Sequence, residues 1–275
     1  MKYIKLYLQF LILQLKTIME YKTDFIIGLL SVILGQINTF LLTVMVFTQL
    51  DSLVGFSIYE IFLMYGFYTL VRGIDHFYND NIWSFAWNKI RDGRFMTILL
   101  RPINPIFYIV MERIEVSGLS ESVIGILIII YSLRKLMISI GVLEFLVLFL
   151  LVLCGLAVYF SIKLLCSTPA FWTTCCGEFM TAGVEIGNTA KYPIELYKNK
   201  LIKNILLFVL PFPIAAYFPS IYCLKKIENI RCLFGVSWMN VNHIVLYSVF
   251  MAIVLLFVSI KVWYIGLKHF EPTGT

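Results

Sequence analysis

The chain has 275 residues, 60% of them hydrophobic and only 14% charged, with a mean hydropathy of +0.89. Soluble domains carry about a quarter charged residues, so this composition excludes an ordinary water-soluble protein and points to lipid as the solvent. At about 20 apolar residues per helical crossing, there is room for about six crossings and no separate soluble domain, and the net charge of +6 fits basic loops on one membrane face rather than a nucleic-acid partner.

The first fifteen residues, MKYIKLYLQFLILQL, outline a secretion signal, but no small-residue cleavage site follows and charge continues through Lys16, Glu20 and Lys22. Ile4, Leu8, Leu11 and Leu15 recur at helical spacing away from Lys2, Lys5, Gln9 and Lys16, which predicts an amphipathic interfacial helix over 1–22. A poorly formed first span is the alternative. The spans then fall at about 24–47, 58–78, 106–133, 142–165, 201–220 and 241–264. Gln36 and Asn38 sit near the centre of the first, where an amide needs a partner on another helix. Glu112, Arg113 and Glu115 lie in the first turns of the third, and Pro211, Pro213 and Pro219 break the fifth.

Orientation follows from the basic residues. With the N-terminus inside, 15 of the 22 Lys and Arg fall in cytoplasmic segments. Arg134, Lys135, Lys225, Lys226 and Arg231 fall outside, and Arg72 and Arg113 lie within or beside helices. The positive-inside rule therefore places both termini in the cytoplasm, together with Asp80–Pro105 and Ser167–Lys200.

Familiar catalytic signatures are missing. There is no GxxxxGK[ST] phosphate loop, no HExxH and no GxSxG. His76, His243 and His269 are scattered, and the six cysteines lack zinc spacing, so no metal site and no catalytic residue is assigned. Cys175 and Cys176 are adjacent in a segment read as cytoplasmic, where thiols stay reduced. Cys223 and Cys232 share an outer loop and are within reach of pairing or of remaining free. Arg72, Asp75 and His76 share one face of the second span at i, i+3 and i+4. They are read either as a gating or substrate cluster or as a structural ion pair of Arg72 with Asp75, Glu112 or Glu115.

The most polar interruption is Asp80–Pro105. Trp83, Trp87 and Ile90 fall on one face of a short helix over 81–91, with Phe85, Lys89 and Arg91 around it, before Asp92-Gly93 turns the chain. On physics alone it is equally a force-transmitting helix between two spans and an interfacial helix anchored by tryptophans.

Within it, GRFMTILLRPINPIFYIV resembles the G…LLRPxNP segment of permease subunits in bacterial type-2 ABC transporters of the exporter type. PAFWTTCCGEF and AKYPIELYKNKLIKNILLFVLPFPIAAYFPS are similar to the same family's FW…YP…Y…PFAxxxYxP region. Lys191 stands where arginine is more usual. The resemblance covers nearly the whole chain and implies an all-α integral membrane protein with the type-2 ABC exporter fold: an interfacial helix plus six spans in one transmembrane domain, 1–275. It implies half of a translocation pathway, paired with a second permease (a related partner in preference to an identical copy) and with two ATPase subunits that bind ATP and Mg2+. It implies that 81–91 is the coupling helix, with Trp83, Phe85, Trp87, Lys89, Ile90 and Arg91 meeting the ATPase, and that Pro211 to Tyr222 form a lid over the exit. A pathway walled by Gln36, Asn38, Phe40, Tyr65, Tyr68 and Phe208 would suit a hydrophobic or amphipathic cargo such as a peptide, antibiotic or lipid-like compound. The rival expectations are a membrane scaffold or sensor partner and an intramembrane enzyme without a known motif.

Overall fold

A computed structural model describes residues 2–20, 22–238 and 240–271. The first residue and the last four, included in the expected cytoplasmic termini, lie outside the described residues. Among those described there is no β-strand. Helix α1 (Lys2–Glu20) leads into α2 (Lys22–Gln49), and after a turn closed by Leu53 and Phe56 comes α3 (Ile58–Asn79). Four helices are long and apolar enough to cross a membrane by length and composition: Ile26–Gln49, Ser117–Lys135, Val142–Thr173 and Val241–Lys268. Helix α3 has 22 residues, about 33 Å at 1.5 Å per residue, which is long enough to span, but its charges keep it out of that group.

The segment after α3 is short and irregular. Helix α4 (Asn81–Ser84) runs into a π-helical turn, Phe85–Lys89, then Gly93 takes a left-handed conformation (φ 69°) and α5 (Arg94–Leu99) follows. Asn104 caps α6 (Pro105–Glu112), accepting from the Ile106 and Phe107 backbone N–H groups, with Pro105 at the first helical position.

The third span expected over 106–133 is two helices. Arg113 is extended (φ −141°, ψ 132°), and α7 (Ser117–Lys135) starts afresh. The orphaned backbone groups at this break find distant partners, as they must away from water. The Gln14 side-chain amide donates to the Glu112 carbonyl at 2.7 Å and accepts from the Ile114 N–H at 2.6 Å. The Glu115 N–H reaches the Phe77 carbonyl at 3.1 Å.

Helices α3 and α7 touch backbone to backbone. A Cβ on Gly73 would lie 2.5 Å from the Ser122 nitrogen, and one on Gly125 would lie 2.5 Å from the Leu70 nitrogen. Gly66 and Gly73 on α3 and Gly118 and Gly125 on α7 are spaced by seven, so each helix presents one small-residue stripe to the other.

Helix α8 (Val142–Ser167) is followed by α9 (Ala170–Thr173) and α10 (Gly177–Gly187), then by 3-10 turns at Asn188–Lys191 and Ile194–Leu196. This stretch precedes the fifth span expected over 201–220. Gly177 lies against the Trp87 ring at the α4 end, whereas Glu195 accepts from Tyr217 and, at 2.9 Å, from Asn229 at the opposite end. Residues 177–196 therefore run from one end of the bundle to the other. Beyond them, α11 (Lys200–Asn204), a π turn (Ile205–Val209), a 3-10 turn (Phe212–Ala215), α12 (Tyr217–Leu224) and α13 (Ile227–Phe234) form a broken layer, and α14 (Val241–Lys268) returns the chain.

Two consequences follow. Lys198, Lys200 and Lys203, counted above as cytoplasmic, lie between Glu195 and Leu207, and the Leu207 carbonyl is held by Tyr247 near the start of α14. They belong to the far end. The proline segment is packed into the fold, with Phe212, Ile214, Ala215, Tyr217 and Phe218 all at most 1% exposed, in the main hydrophobic cluster. Prolines strip a helix of donors, so a helix so interrupted is tolerated at membrane depth only when protein surrounds it.

Both described chain ends sit at the α4 end. Phe10 of α1 packs edge-on against Tyr108 of α6, and Phe270 after α14 packs against Phe95 of α5.

Candidate functional site

Two regions concentrate polar chemistry. The first is the α4 end. Phe85 is fully buried, in ring contact with Phe95, Phe171 and Trp263 at centroid distances of 5.2, 5.4 and 4.6 Å. Ile90 is buried with it. Lys89 is buried and forms an ion pair with Glu112. Burial, with the positive charges of Arg94 and Arg113, pushes its ammonium down to about 8. Trp87 is half-buried, flat against Gly177, while the Cys176 N–H donates to the Ala86 carbonyl at 2.9 Å. Of the six residues expected to meet an ATPase, Phe85, Lys89 and Ile90 thus face the chain's own interior. Trp83 and Trp87 are half-buried, and Arg91 is exposed, donating to the Asn88 side-chain oxygen at 2.8 Å. Arg94 hydrogen-bonds Asp92 and holds that carboxyl below its ordinary range. Beside this segment lies a cleft of about 600 Å3, lined by Gln14, Lys89, Arg94, Glu112 and Arg113.

The second region lies within the bundle, where the expected charge cluster separates into distinct pairings. Arg72 does not pair with Asp75, Glu112 or Glu115. Its Nε lies 3.8 Å from Glu121 of α7, and its Nη1 donates to the Tyr68 hydroxyl at 2.6 Å and to Asn188 at 2.7 Å. Asp75 pairs with Lys163 of α8 at 2.6 Å and accepts from Asn79 at 2.8 Å. His76 stands 3.6 Å from Glu121 and 3.8 Å from Asp80. Glu112 belongs to Lys89, and Glu115 lies 3.3 Å from Arg113. Arg72 and Asp75 each take an ionic partner on another helix, and for Arg72 the close α3–α7 approach supplies Glu121.

The expected pathway residues divide in the same way. Tyr65 donates to the Gln36 side chain, Gln36 donates to Glu121 at 3.2 Å, and Tyr68 donates to Asn188 at 2.6 Å. Gln36, Tyr65 and Tyr68 therefore share one chamber of about 290 Å3. Phe40 stacks on Phe62 with centroids 4.6 Å apart, Asn38 is exposed on α2, and Phe208 lies apart on the π turn against Tyr247. The chamber is not mostly aromatic or apolar, since Arg72, Glu121, Asn188 and Lys191 also line it. Sequence reading missed Glu121, Lys163 and Asn188. A lone acid inside the apolar stretch of α7 was the available signal.

Cys176 has its thiol pushed up to about 12 by burial, which disfavours the reactive thiolate. Cys223 is buried, Cys232 exposed, and both are free. Among the described residues, no three His, Cys, Asp or Glu side chains converge as metal ligands.

A helical bundle with buried interhelical charge pairs and a polar chamber defines a multi-pass membrane protein built around a polar interior. The family model described as ABC-2 family transporter protein matches residues 33–274, and the chain belongs to that family. It is a permease component of an ABC transporter in the bacterial cytoplasmic membrane. No curated protein and no solved structure is significantly similar to it.

Proposed function

We propose that the chain is one half of an ATP-driven exporter, moving an amphipathic compound outward through a pathway shared with a second, related permease. Two ATPase subunits, carrying ATP and Mg2+, dock on the cytoplasmic face. In this reading the α4 end is cytoplasmic, α1 is interfacial, and six passages cross the membrane: α2, α3, α6–α7, α8, residues 177–196 and α14. Lys2, Lys5, Lys16, Lys22, Lys89, Arg91, Arg94, Arg101, Arg113 and Lys268 support that orientation against eight basic residues of the far end, a narrower margin than the sequence count.

The observation that carries this reading is how residues 81–91 are fastened. Phe85 is plugged among rings from α5, α9 and the end of α14, and Lys89 is tied to α6. A push on the exposed Arg91 side therefore moves several helices together, which is what a segment transmitting closure of a docked motor must do. Phe85, Lys89 and Ile90 act as the fastening, and Trp83, Trp87 and Arg91 supply the outward contact.

Affinity purification of the chain from its native membrane tests this. An ATP-binding subunit should co-purify, and Arg91→Glu combined with Trp83→Ala should strip it away while the permease still reaches the membrane. Undiminished ATPase association and transport in that variant would remove 81–91 from the coupling role. A chain isolated without any ATP-binding subunit would favour a scaffold or sensor instead.

A further inference from the structure

Arg72, His76 and Asn188 form a wall between two cavities. On one side, a space of about 300 Å3 holds Lys163 facing Asp75 at 2.6 Å and Asp80 at 3.8 Å, with the exposed Glu185 accepting from Asn188 at 2.9 Å. Its cation is fully matched. The other side is the chamber that reaches α2, and its balance is different.

That chamber is lined by two basic side chains, Arg72 and Lys191, and a single carboxylate, Glu121. Glu121 is already engaged, receiving Gln36 at 3.2 Å and facing His76 at 3.6 Å and Arg72 at 3.8 Å. A guanidinium has five N–H donors. Both Arg72 hydrogen bonds use Nη1, and among the described residues Nη2 donates none. Lys191 makes no ion pair among them either, and its Nζ rests 5.3 Å from the Tyr192 ring centroid. The Arg72 side chain keeps 39% of its surface open, so its spare donors are reachable. Two like charges around one cavity at membrane depth are costly unless an anion comes between them. The chamber's α2 wall belongs to a helix whose apolar stretch is 0% buried, which leaves room for a hydrocarbon tail beside it.

We propose that this chamber binds the anionic head, carboxylate or phosphate, of an amphipathic cargo between Arg72 and Lys191, with Tyr68 and Asn188 holding the guanidinium in place. The assignment rests on the export reading and narrows its substrate class. A cationic head would meet Arg72 and find Glu121 already occupied.

The test uses the full-length chain in uncharged detergent and three fluorescent probes of equal tail length: a dansyl fatty acid, its methyl ester and a trimethylammonium analogue. The acid should bind about tenfold more tightly than the other two, and Arg72→Gln should abolish that preference, with Lys191→Gln reducing it severalfold. The ester should bind both variants as it binds the native chain. Equal affinity for the three probes, or an acid preference unchanged in both variants, would overturn the proposal, as would displacement of the acid by millimolar inorganic phosphate, because a tail would then be unnecessary. Should Arg72→Gln fail to fold, Lys191→Gln carries the test alone, since Lys191 bridges no helices. ATP-driven movement in vesicles separates this proposal from the one beneath it. Selective binding of the acid without movement would sink export and keep the site, whereas movement of acid and ester alike without selective binding would sink the site and keep export.

Discussion

Helices α3 and α2 are neighbours attached in opposite ways. Helix α3 is locked, with its glycines against α7 and its Asp75 tied to Lys163 of α8. Helix α2 is loosely attached, with no residue of its apolar stretch fully buried, and its contacts include Gln36 to Tyr65 and Glu121 and the Phe40–Phe62 stack. Backbone contact cannot slide without breaking many contacts at once, whereas a single amide and one stacked ring pair can be exchanged for others. The chamber lies on this seam between a fixed wall and a movable one, which is where a transporter needs it.

The largest effect should come from unpairing the fixed wall. Lys163→Met leaves Asp75, which is 2% exposed at its side chain, as an uncompensated buried charge, a loss of about 3–5 kcal/mol. Thermal unfolding in detergent should show a much lower midpoint, and adding Asp75→Leu should recover most of it. If the double variant is as unstable as the single one, the pair does not hold α3 to α8. Gly73→Val is expected next, at about 1–3 kcal/mol, because its side chain would meet the α7 backbone rather than a flexible side chain. The same change at Gly28 on α2, where nothing lies within 4 Å, should be silent in that measurement. Equal effects at the two glycines would erase the distinction between a locked and a loose helix.

Gln36→Leu probes the loose side. Interhelical hydrogen bonds in membranes are worth about 0.6–2 kcal/mol, so stability should fall only slightly. The larger change should be in position: spin labels on α2 and α3 should report a broader distance distribution. An unchanged distribution would mean that lipid or a partner chain, rather than Gln36, holds α2.

How far the sequence could be read depended on the range of the interaction. Asn104-Pro105 declares the start of α6 because a cap and a first-turn proline act within three residues. The break after Glu112 was invisible, since its backbone groups are satisfied by Gln14, 98 residues away. The run 177–196, which crosses the bundle from end to end, was passed over for a related reason. Residues 201–220 are the more apolar, whereas 177–196 carry Glu178, Glu185, Lys191 and Glu195 and look too polar to cross. That polarity is tolerated because Asn188 and Glu195 have partners on α3, α12 and α13. For Arg72 the sequence offered Asp75, Glu112 or Glu115, when the packing supplied Glu121. The seven-residue glycine spacing in α3 and α7 was legible throughout, and it was the one clue to which helix would deliver that carboxylate.

The smallest expected effect separates the α4 end from the interior. Lys89 is pushed down to about 8 chiefly by burial, against about 10.4 for a free lysine. The folded chain therefore releases this proton before the unfolded chain does. From about pH 8 to the ordinary lysine range the unfolded state binds more protons, so Lys89 alone makes stability rise with pH. The charge pair with Glu112 weakens over the same interval, and the fastening of 81–91 to α6 should loosen even as the fold tightens. Competitive acetylation read by mass spectrometry should give Lys89 a half-reactive point near 8, well below the ordinary lysine range. Lys89→Arg, which stays charged throughout, should make ATPase association independent of pH between 7 and 9. If native association does not fall across that range while Lys89 titrates within it, the Lys89–Glu112 pair is a packing feature only, and the aromatic plug at Phe85 alone carries the motion.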